Sequence, residues 1–529
     1  MTRSATVAEA VLRRLKAFGV DTVFGIPGTH NLELFRAADL VGMQVITAHH
    51  EQGLGFAADA YARVTGRPAV LLTTTGPGIT NATTALATSL AASVPVMAIA
   101  PGPPETIHRL NVGWLHELPS QIDHLATLLP SCRAGSGKEA VDFIDHTMTR
   151  WAVGRQGPVY LELPLDVLES DADVDPAKLL PDLPVAELPA VEAVAAAAGA
   201  LSRSRRTVVV AGRGTASDPA AVQLLAERLG APVITTANAK GIIDERHELS
   251  LGVALRLAAG RDILCEAECV VVAGSDLGSS ETWTSEPLGL KTVIRIDIDE
   301  RQLQKNASSE YPLLGDSGPC LRALSARISE GLEQDERWLA SLRPRLREQI
   351  VAEGGPYAAF HQIISETFSG ITIIAGDSSQ ATYFGTAYFW PAAGANRFLY
   401  PAGYGTLGYA LPGAIGASVA EVADHVLAVT GEGGLMFSIQ EFATAARMNL
   451  CIPVVVFSNG GFNEIREGMV ARGIPPMAVE FSPPDFVQLA RGFGGEGVEV
   501  DSLEAFREAL QKASIFDGPT LIHVPLGKF

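Results

Sequence analysis

Apolar residues along this chain fall into two alternating patterns. Short runs rich in apolar residues over 22–25, 45–48, 69–74 and 94–100 read as buried strands, and the stretches between them return apolar residues at helical spacing. Strands that alternate with helices pair in parallel and carry the helices on their faces. The same rhythm returns over 207–211, 233–236, 269–273 and 292–298, and again over 371–375, 425–430 and 453–457. The pattern predicts an α/β chain of three units, each a parallel sheet covered by helices. Between the first two, DADVDPAKLLPDLPVAELPA is rich in Pro and Asp and breaks both periods, so it reads as a linker. The charged, helically periodic SARISEGLEQDERWLASLRPRLREQIVAE is expected to close the second unit and become a connecting helix. The expected boundaries are about 1–170, linker 171–190, second unit 191–330, connecting helix 331–354 and third unit 355–529.

Composition agrees and narrows the function. A chain of 529 residues is too long for one core. With 47% hydrophobic and 6% aromatic residues it suits a well-buried α/β protein. The longest apolar runs are too short to cross a bilayer, and the N-terminus reads as an amphipathic helix without a cleavable signal, so the expected compartment is the cytoplasm. The net charge of -19, from 40 basic and 59 acidic residues, excludes nonspecific nucleic-acid binding. It also means that an anionic ligand must be held by local groups against the global field. Cys265 and Cys269 stand at helical spacing, and no CxxC pair indicates a disulfide framework or a zinc site.

Chemistry enters with GEGGLMFSIQEFATAARMNLCIPVVVFSNGG, residues 431–461. The glycines of GEGG allow tight turns after a strand, and Ile439, Phe442, Ala443 and Ala446 fall on one helical face before the next strand. A strand, crossover helix and strand wind right-handed, so both strands end on one edge of the sheet, where open α/β folds bind ligands. Glu432 and Asn459 each follow a strand end and so offer a carboxylate and an amide oxygen to a hard cation. Magnesium takes few protein oxygens and readily adds phosphate oxygens, while N–H groups around Gly433 and Gly434 at a helix start favour an anion. The expected guest is a magnesium diphosphate. GEGG alone reads equally well as a plain strand-to-helix turn; the matching Asn459-Gly460-Gly461 raises it.

This run resembles the thiamine diphosphate signature of acetolactate synthases, benzoylformate decarboxylase and their relatives, GDG followed one βαβ unit later by NN. The resemblance implies that Glu432, Asn459 and the main-chain carbonyl of Gly461 hold Mg2+ and that the cofactor is thiamine diphosphate. Glu432 stands where Asp is usual, and Ser458 replaces the first Asn. Because magnesium tolerates little departure from octahedral geometry, the extra methylene requires the loop to shift or the affinity to weaken. HEQGLGFAADAYARVTG and TTGPGITNATTALA extend the likeness to acetolactate synthases. Glu51 then matches the carboxyl that activates the cofactor by hydrogen bonding its aminopyrimidine, with Pro27 and Asn81 lining the pyrimidine pocket. Read on its own, a carboxylate at a helix start is simply a good partner for the helix dipole. The cofactor supplies the electron sink; the protein supplies orientation and a tuned proton. In PAGYGTLGYALPGAIGA, Leu407 matches the apolar side chain beneath the cofactor and Gly405 a carbonyl that accepts from its exocyclic amine. Ser379 and Gln380 of GDSSQ are placed to reach the diphosphate, though a surface turn reads nearly as well.

The resemblance assigns the pyrimidine end to the first unit and the diphosphate and magnesium end to the third. It implies a homodimer, or a homotetramer built from two, with active sites at the dimer interface. The second unit is structural in some relatives and carries FAD in acetolactate synthases; Gly212-Arg213-Gly214 lacks the third glycine of a dinucleotide fingerprint, and no residue here demands FAD. Thr29, His30, His116, Glu464 and Ile465 match positions around the reacting carbon, where a His can hold a carboxylate or move protons. IPGTHNLEL, GWLHE, AGYGTLGYALP and NEIREGM look most like decarboxylases of 2-oxo acids with a guanidino side chain. The expected activity is nonoxidative decarboxylation of a small-molecule 2-oxo acid. The alternatives are an acetolactate synthase-type carboligase and a degenerate thiamine diphosphate-binding protein without turnover.

Overall fold

The computed structural model describes residues 4–174, 180–185, 188–329 and 332–529. The linker expected over 171–190 therefore lies partly outside the described residues. By its internal packing the chain divides into two compact units, Met1–Val185 with Leu411–Val422 and Ser438–Leu450, and Ala186–Ala410 with Ala423–Phe437 and Cys451–Phe529.

The first unit holds a six-stranded sheet of β1 (Thr22–Gly25), β2 (Gln44–Ile46), β3 (Ala69–Leu72), β4 (Val96–Gly102), β5 (Ser131–Arg133) and β6 (Val159–Pro164), in the order β2-β1-β3-β4-β6-β5. Every pairing is parallel. The expected strand over 45–48 is corrected to Gln44–Ile46, with two of its three residues exposed, because it is the edge of the sheet. β5 and β6 were not among the expected strands; β5 is another edge strand of three half-buried residues, too short for its pattern to register.

The second unit carries two sheets. One runs through β7 (Thr207–Ala211), β8 (Val233–Thr235), β9 (Cys269–Ala273), β10 (Thr292–Asp297) and β11 (Tyr311–Leu314), in the order β11-β10-β9-β7-β8. The other runs through β12 (Thr372–Gly376), β13 (Phe398–Leu399), β14 (His425–Gly431), β15 (Pro453–Ser458), β16 (Glu496–Glu499) and β17 (Thr520–Pro525), in the order β13-β12-β14-β15-β17-β16. Both are parallel throughout. The chain is thus α/β with three parallel sheets, as the hydrophobic pattern predicts.

Three local expectations are corrected. The connecting helix runs over Glu336–Thr367, straight through Gly354, Gly355 and Pro356. Each internal proline removes a hydrogen bond at a cost of about 3 kcal/mol, offset by the core burial of Tyr357, Phe360, Ile363 and Ile364 at about 1.5–3 kcal/mol per side chain. GEGG itself enters a short helix, Glu432–Leu435, and the longer helix that follows starts at Glu441, with a buried face of Glu441, Phe442, Thr444 and Ala445 rather than an apolar stripe from Ile439 to Ala446. Cys265 and Cys269 share no helix, since one ends at Glu266 and Cys269 opens β9. Among the described residues no helix is long and apolar enough to cross a membrane.

Candidate active site

In an open parallel sheet the ligand crevice lies beyond the carboxyl ends of the strands, where the winding reverses. In the first sheet that point is between β1 and β3; in the third it is between β12 and β14. The candidate residues collect at both.

In the first unit Glu51 opens the helix Glu51–Thr65, which His50 caps by accepting from the Gln52 N–H at 3.1 Å. The half-buried Glu51 carboxylate accepts from Asn81 Nδ2 at 3.0 Å. Gly78 lets the neighbouring helix come close, since a Cβ there would stand 3.5 Å from Glu51 Oε1 and 2.9 Å from Thr74 Cγ2. Pro27 and Thr29 are exposed, while His30 is buried and stacks on Trp114 at 4.2 Å, with His116 edge-on at 5.3 Å. Burial, reinforced by His116, lowers the His30 pKa. Nδ1 of each histidine is buried without a protein hydrogen-bond partner. His116 and Gly76 both have left-handed φ, +64° and +65°, and their main chains touch, because a Cβ on Gly76 would lie 2.3 Å from the His116 carbonyl. Gly76 N–H donates to Gln121 Oε1 at 2.7 Å, and Gln121 Nε2 is tied to the Tyr160 hydroxyl at 2.7 Å.

In the third sheet Glu432 immediately follows β14 and is buried. Its Oε1 accepts the main-chain N–H groups of Asn459, Gly460 and Gly461 at 3.0, 2.8 and 2.8 Å. The positive φ of Gly460 and Gly461, 96° and 128°, is what turns successive N–H groups toward one oxygen. Asn459 Nδ2 donates to Gln380 Oε1 at 3.0 Å. The Asn459 amide also contacts the phenol of Tyr357, whose pKa burial pushes up to about 12. A cavity of about 440 Å³ opens here and is lined by Ser379, Gln380, Gly405, Leu407, Glu432, Gly433, Gly434, Asn459, Gly461, Glu464 and Ile465, which are all the site residues expected of this region, together with Trp283.

Several details add to the sequence reading. Gln380 also has protein partners: its Nε2 donates to Glu464 and Glu467 at 3.0 and 2.9 Å, and its Oε1 accepts from Asn459 and Asn463. Gly433 and Gly434 are required by packing, since Cβ atoms there would meet the Phe462 ring at 2.7 Å and Asp377 and Thr430 oxygens at 2.9 Å. Ser458 is turned from the metal residues to His523 Nε2 at 2.8 Å, and His523 in turn meets Glu499 at 2.9 Å.

Asp377 was missed, although its place just past a strand end was a usable signal. It is buried, both carboxylate oxygens accept from Gly408 N–H at 3.0 and 2.9 Å, and Thr430 Oγ1 lies at 3.3 Å. It therefore ties the end of β12 to the turn bearing Gly405 and Leu407, and burial raises its pKa to about 6. Trp114, Trp283 and Tyr383 carry no sequence signal beyond being aromatic.

Among the described residues no cluster of His, Cys, Asp and Glu side chains could hold a metal. The oxygen set of one carboxylate, one amide and one main-chain carbonyl at Glu432, Asn459 and Gly461 nonetheless fits magnesium, which keeps most of its shell for water and phosphate. The three main-chain hydrogen bonds to Glu432 all fall on Oε1.

Family models match the chain in three stretches: a thiamine pyrophosphate enzyme N-terminal binding domain over residues 5–126, a central domain over 194–324 and a C-terminal binding domain over 377–524. The probable 2-ketoarginine decarboxylase of Pseudomonas aeruginosa is 33% identical, covering 99% of this chain and 94% of that one. A probable acetolactate synthase large subunit of Methanocaldococcus jannaschii is 29% identical over 98% of this chain and 91% of its own. The acetolactate synthase isozyme 1 large subunit of Escherichia coli is 28% identical over 98% and 93%.

Proposed function

We propose, from the premise that this chain belongs to the thiamine pyrophosphate enzyme family, that it decarboxylates a 2-oxo acid without oxidation, with magnesium as partner metal, and that the substrate bears a guanidino-type cation. The observation that carries this reading is an acidic pair at the cavity edge, Glu464 in its lining and Glu467 next to it. Glu464 and Glu467 stand three residues apart on the helix Asn463–Ala471, and both reach the same Gln380 NH2 group. That pair already grips one planar N–H donor, and a guanidinium offers the same fork with a charge added. Tyr383, hydrogen bonded to Glu464, and the ring of Trp283 supply an aromatic wall. The name of the Pseudomonas relative, spanned almost end to end, supports the same substrate class.

When bound, thiamine diphosphate supplies the electron sink that lets carbon dioxide leave. Glu51, steadied by Asn81, would hold the proton exchanged with the aminopyrimidine, and Pro27, Leu407 and the Gly405 carbonyl would hold that end of the cofactor. Ser379, Gln380, Gly433 and Gly434 would hold the diphosphate end, and Glu432, Asn459 and the Gly461 carbonyl would hold the magnesium. His30, whose pKa burial lowers with a further contribution from His116, would with His116 and Thr29 hold the carboxylate of the 2-oxo acid or move protons on it, and Ile465 would meet its side chain. On this reading residues of about 1–170 and 355–529 from two copies of the chain complete each site. Exposed Leu110, Val112 and Leu115 beside Trp114 give the first unit an apolar face for such an interface.

The test is incubation with thiamine diphosphate, magnesium and a panel of 2-oxo acids, reading aldehyde and carbon dioxide. The guanidino acid is expected to turn over best, and Glu464→Gln to raise its KM more than that of a neutral analogue. The acetolactate synthase relatives favour a second reading, carboligation; acetolactate formed from pyruvate would replace the decarboxylase reading with it.

A further inference from the structure

We propose that Glu441 is a positioning residue for Glu51. The helix Glu441–Arg447 presents Glu441, Thr444 and Arg447 at three-residue intervals, so they share one face. All three grip the turn that leads into Glu51. Glu441, with no exposed surface, accepts the His49 N–H on both oxygens at 3.3 and 3.1 Å and the Thr444 hydroxyl at 2.7 Å. Thr444 Oγ1 meets His49 Nδ1 at 2.9 Å, and Arg447 donates to the Thr47 carbonyl.

The fit is close enough to constrain the sequence on both sides. A Cβ on Gly53, one turn into the Glu51 helix, would lie 2.8 Å from Glu441 Oε1. Gly416, from the helix Ala410–Val419, lies against the same helix, a Cβ there falling 2.0 Å from the Ala57 carbonyl. A carboxylate fully removed from water and spent on two donors has a structural task, and the groups it holds are the two residues before Glu51. The clamp sets the backbone of His49 and His50, and hence where the first residue of the helix aims its carboxyl.

This inference rests on the reading of Glu51 as the activating carboxyl, so its test separates the two. Hydrogen exchange of the peptide 47–53 in the cofactor-free protein reads the clamp alone; exchange of the thiazolium C2 proton of bound thiamine diphosphate, followed by NMR, reads what the clamp does for Glu51. Glu441→Ala is expected to deprotect the peptide and to slow C2 proton exchange by about 10- to 100-fold, while calorimetric cofactor affinity stays within about threefold because the diphosphate residues are untouched. Glu441→Gln, which can still accept from His49, is expected to recover most of the exchange rate. Should the alanine variant fail to fold, Glu441→Gln and Thr444→Val carry the same comparison. A deprotected peptide with unchanged C2 exchange would overturn the positioning role, and so would an unchanged peptide. If Glu51→Gln itself left C2 exchange unchanged, the reading of Glu51 would fall instead, and peptide exchange would still report the clamp.

Discussion

The first and third sheets have the same strand order, two strands on one side of a reversal and four on the other, yet their crevices are furnished in opposite ways. In the first, Glu51 is half-buried and has one hydrogen-bond partner, the side chain of Asn81. In the third, Glu432 is buried and fixed by three main-chain N–H groups. One topology thus supports a carboxyl left free to exchange partners and a carboxylate built into the loop it anchors. The β11-β10-β9-β7-β8 sheet supplies a further contrast. At its reversal Gly214 N–H donates to the Gly274 carbonyl at 3.0 Å, and main chain fills the place where the other two sheets keep side-chain chemistry.

The comparison breaks most visibly if the two glutamates respond alike. Glu51→Gln is expected to cut carbon dioxide release by about 10²- to 10⁴-fold, with a melting temperature near that of the parent. Glu432→Ala strips the acceptor from three N–H groups, at about 1–3 kcal/mol for each one left buried and unpaired. It is expected to destabilise the cofactor-free protein by several kcal/mol and to abolish magnesium-dependent cofactor uptake in calorimetry. A Glu432→Ala protein that melted normally and took up cofactor would remove the distinction.

The glycines extend the contrast. Gly76→Ala places a methyl 2.3 Å from a carbonyl of the backbone, at a φ of +65° that L-residues avoid; strain and overpacking together are expected to cost about 3 kcal/mol or more. Gly434→Ala meets side-chain atoms of Asp377 and Thr430 at 2.9–3.0 Å rather than backbone, and about 1–3 kcal/mol is expected. Denaturant melts of the two variants rank them, and an inverted order would show that the first crevice is the more yielding.

Buried histidines differ in the same sense. His30 faces its crevice with an unpartnered nitrogen, whereas His361 behind the third sheet is satisfied on both sides, Nδ1 with the Tyr357 carbonyl and Nε2 with Thr386 Oγ1, each at 2.9 Å. Burial lowers the His361 pKa to about 4 from the ordinary 6.5. The unfolded chain takes up the proton first, so the contribution of a neutral His361 is complete above pH 6.5 and lost as the pH falls through about 4. It amounts to about 3 kcal/mol at about 1.4 kcal/mol per unit. His361→Gln is expected to flatten the fall in melting temperature across that window, and an unaltered slope would mean that the ring is not held neutral.

Much of this was legible in the sequence because strand runs and the residues just past their ends obey local rules. Glu432 and Asn459 were each placed by a strand end followed by a turn, Glu51 by a helix start together with the family resemblance, and the cavity gathers all the site residues expected of the third region. What escaped was set by tertiary contact. Asp377 looked like one more polar residue in GDSSQ until the 405–408 turn came to rest on it. The Glu441, Thr444 and Arg447 stripe was hidden by the apolar positions interleaved with it, and its partners lie nearly four hundred residues away in sequence. The helix Glu336–Thr367 passed through a Gly-Gly-Pro stop signal because the core on its far side outweighs the local cost.

The smallest effect sharpens the comparison furthest. The family resemblance sets Asp at the position of Glu432, and a shorter carboxylate would ordinarily suit a small octahedral ion better. Here the additional methylene carries Oε1 across from the end of β14 to the loop after β15, where three N–H groups converge on it. Glu432→Asp should therefore withdraw that oxygen from part of its cradle and destabilise the cofactor-free protein by about 1–2 kcal/mol, with magnesium affinity in a calorimetric titration falling in step. Both quantities rising together would mean that the longer side chain is a poor copy of the shorter one. The contact with the loop would then be incidental, and the third crevice would be organised by the metal rather than by its own main chain.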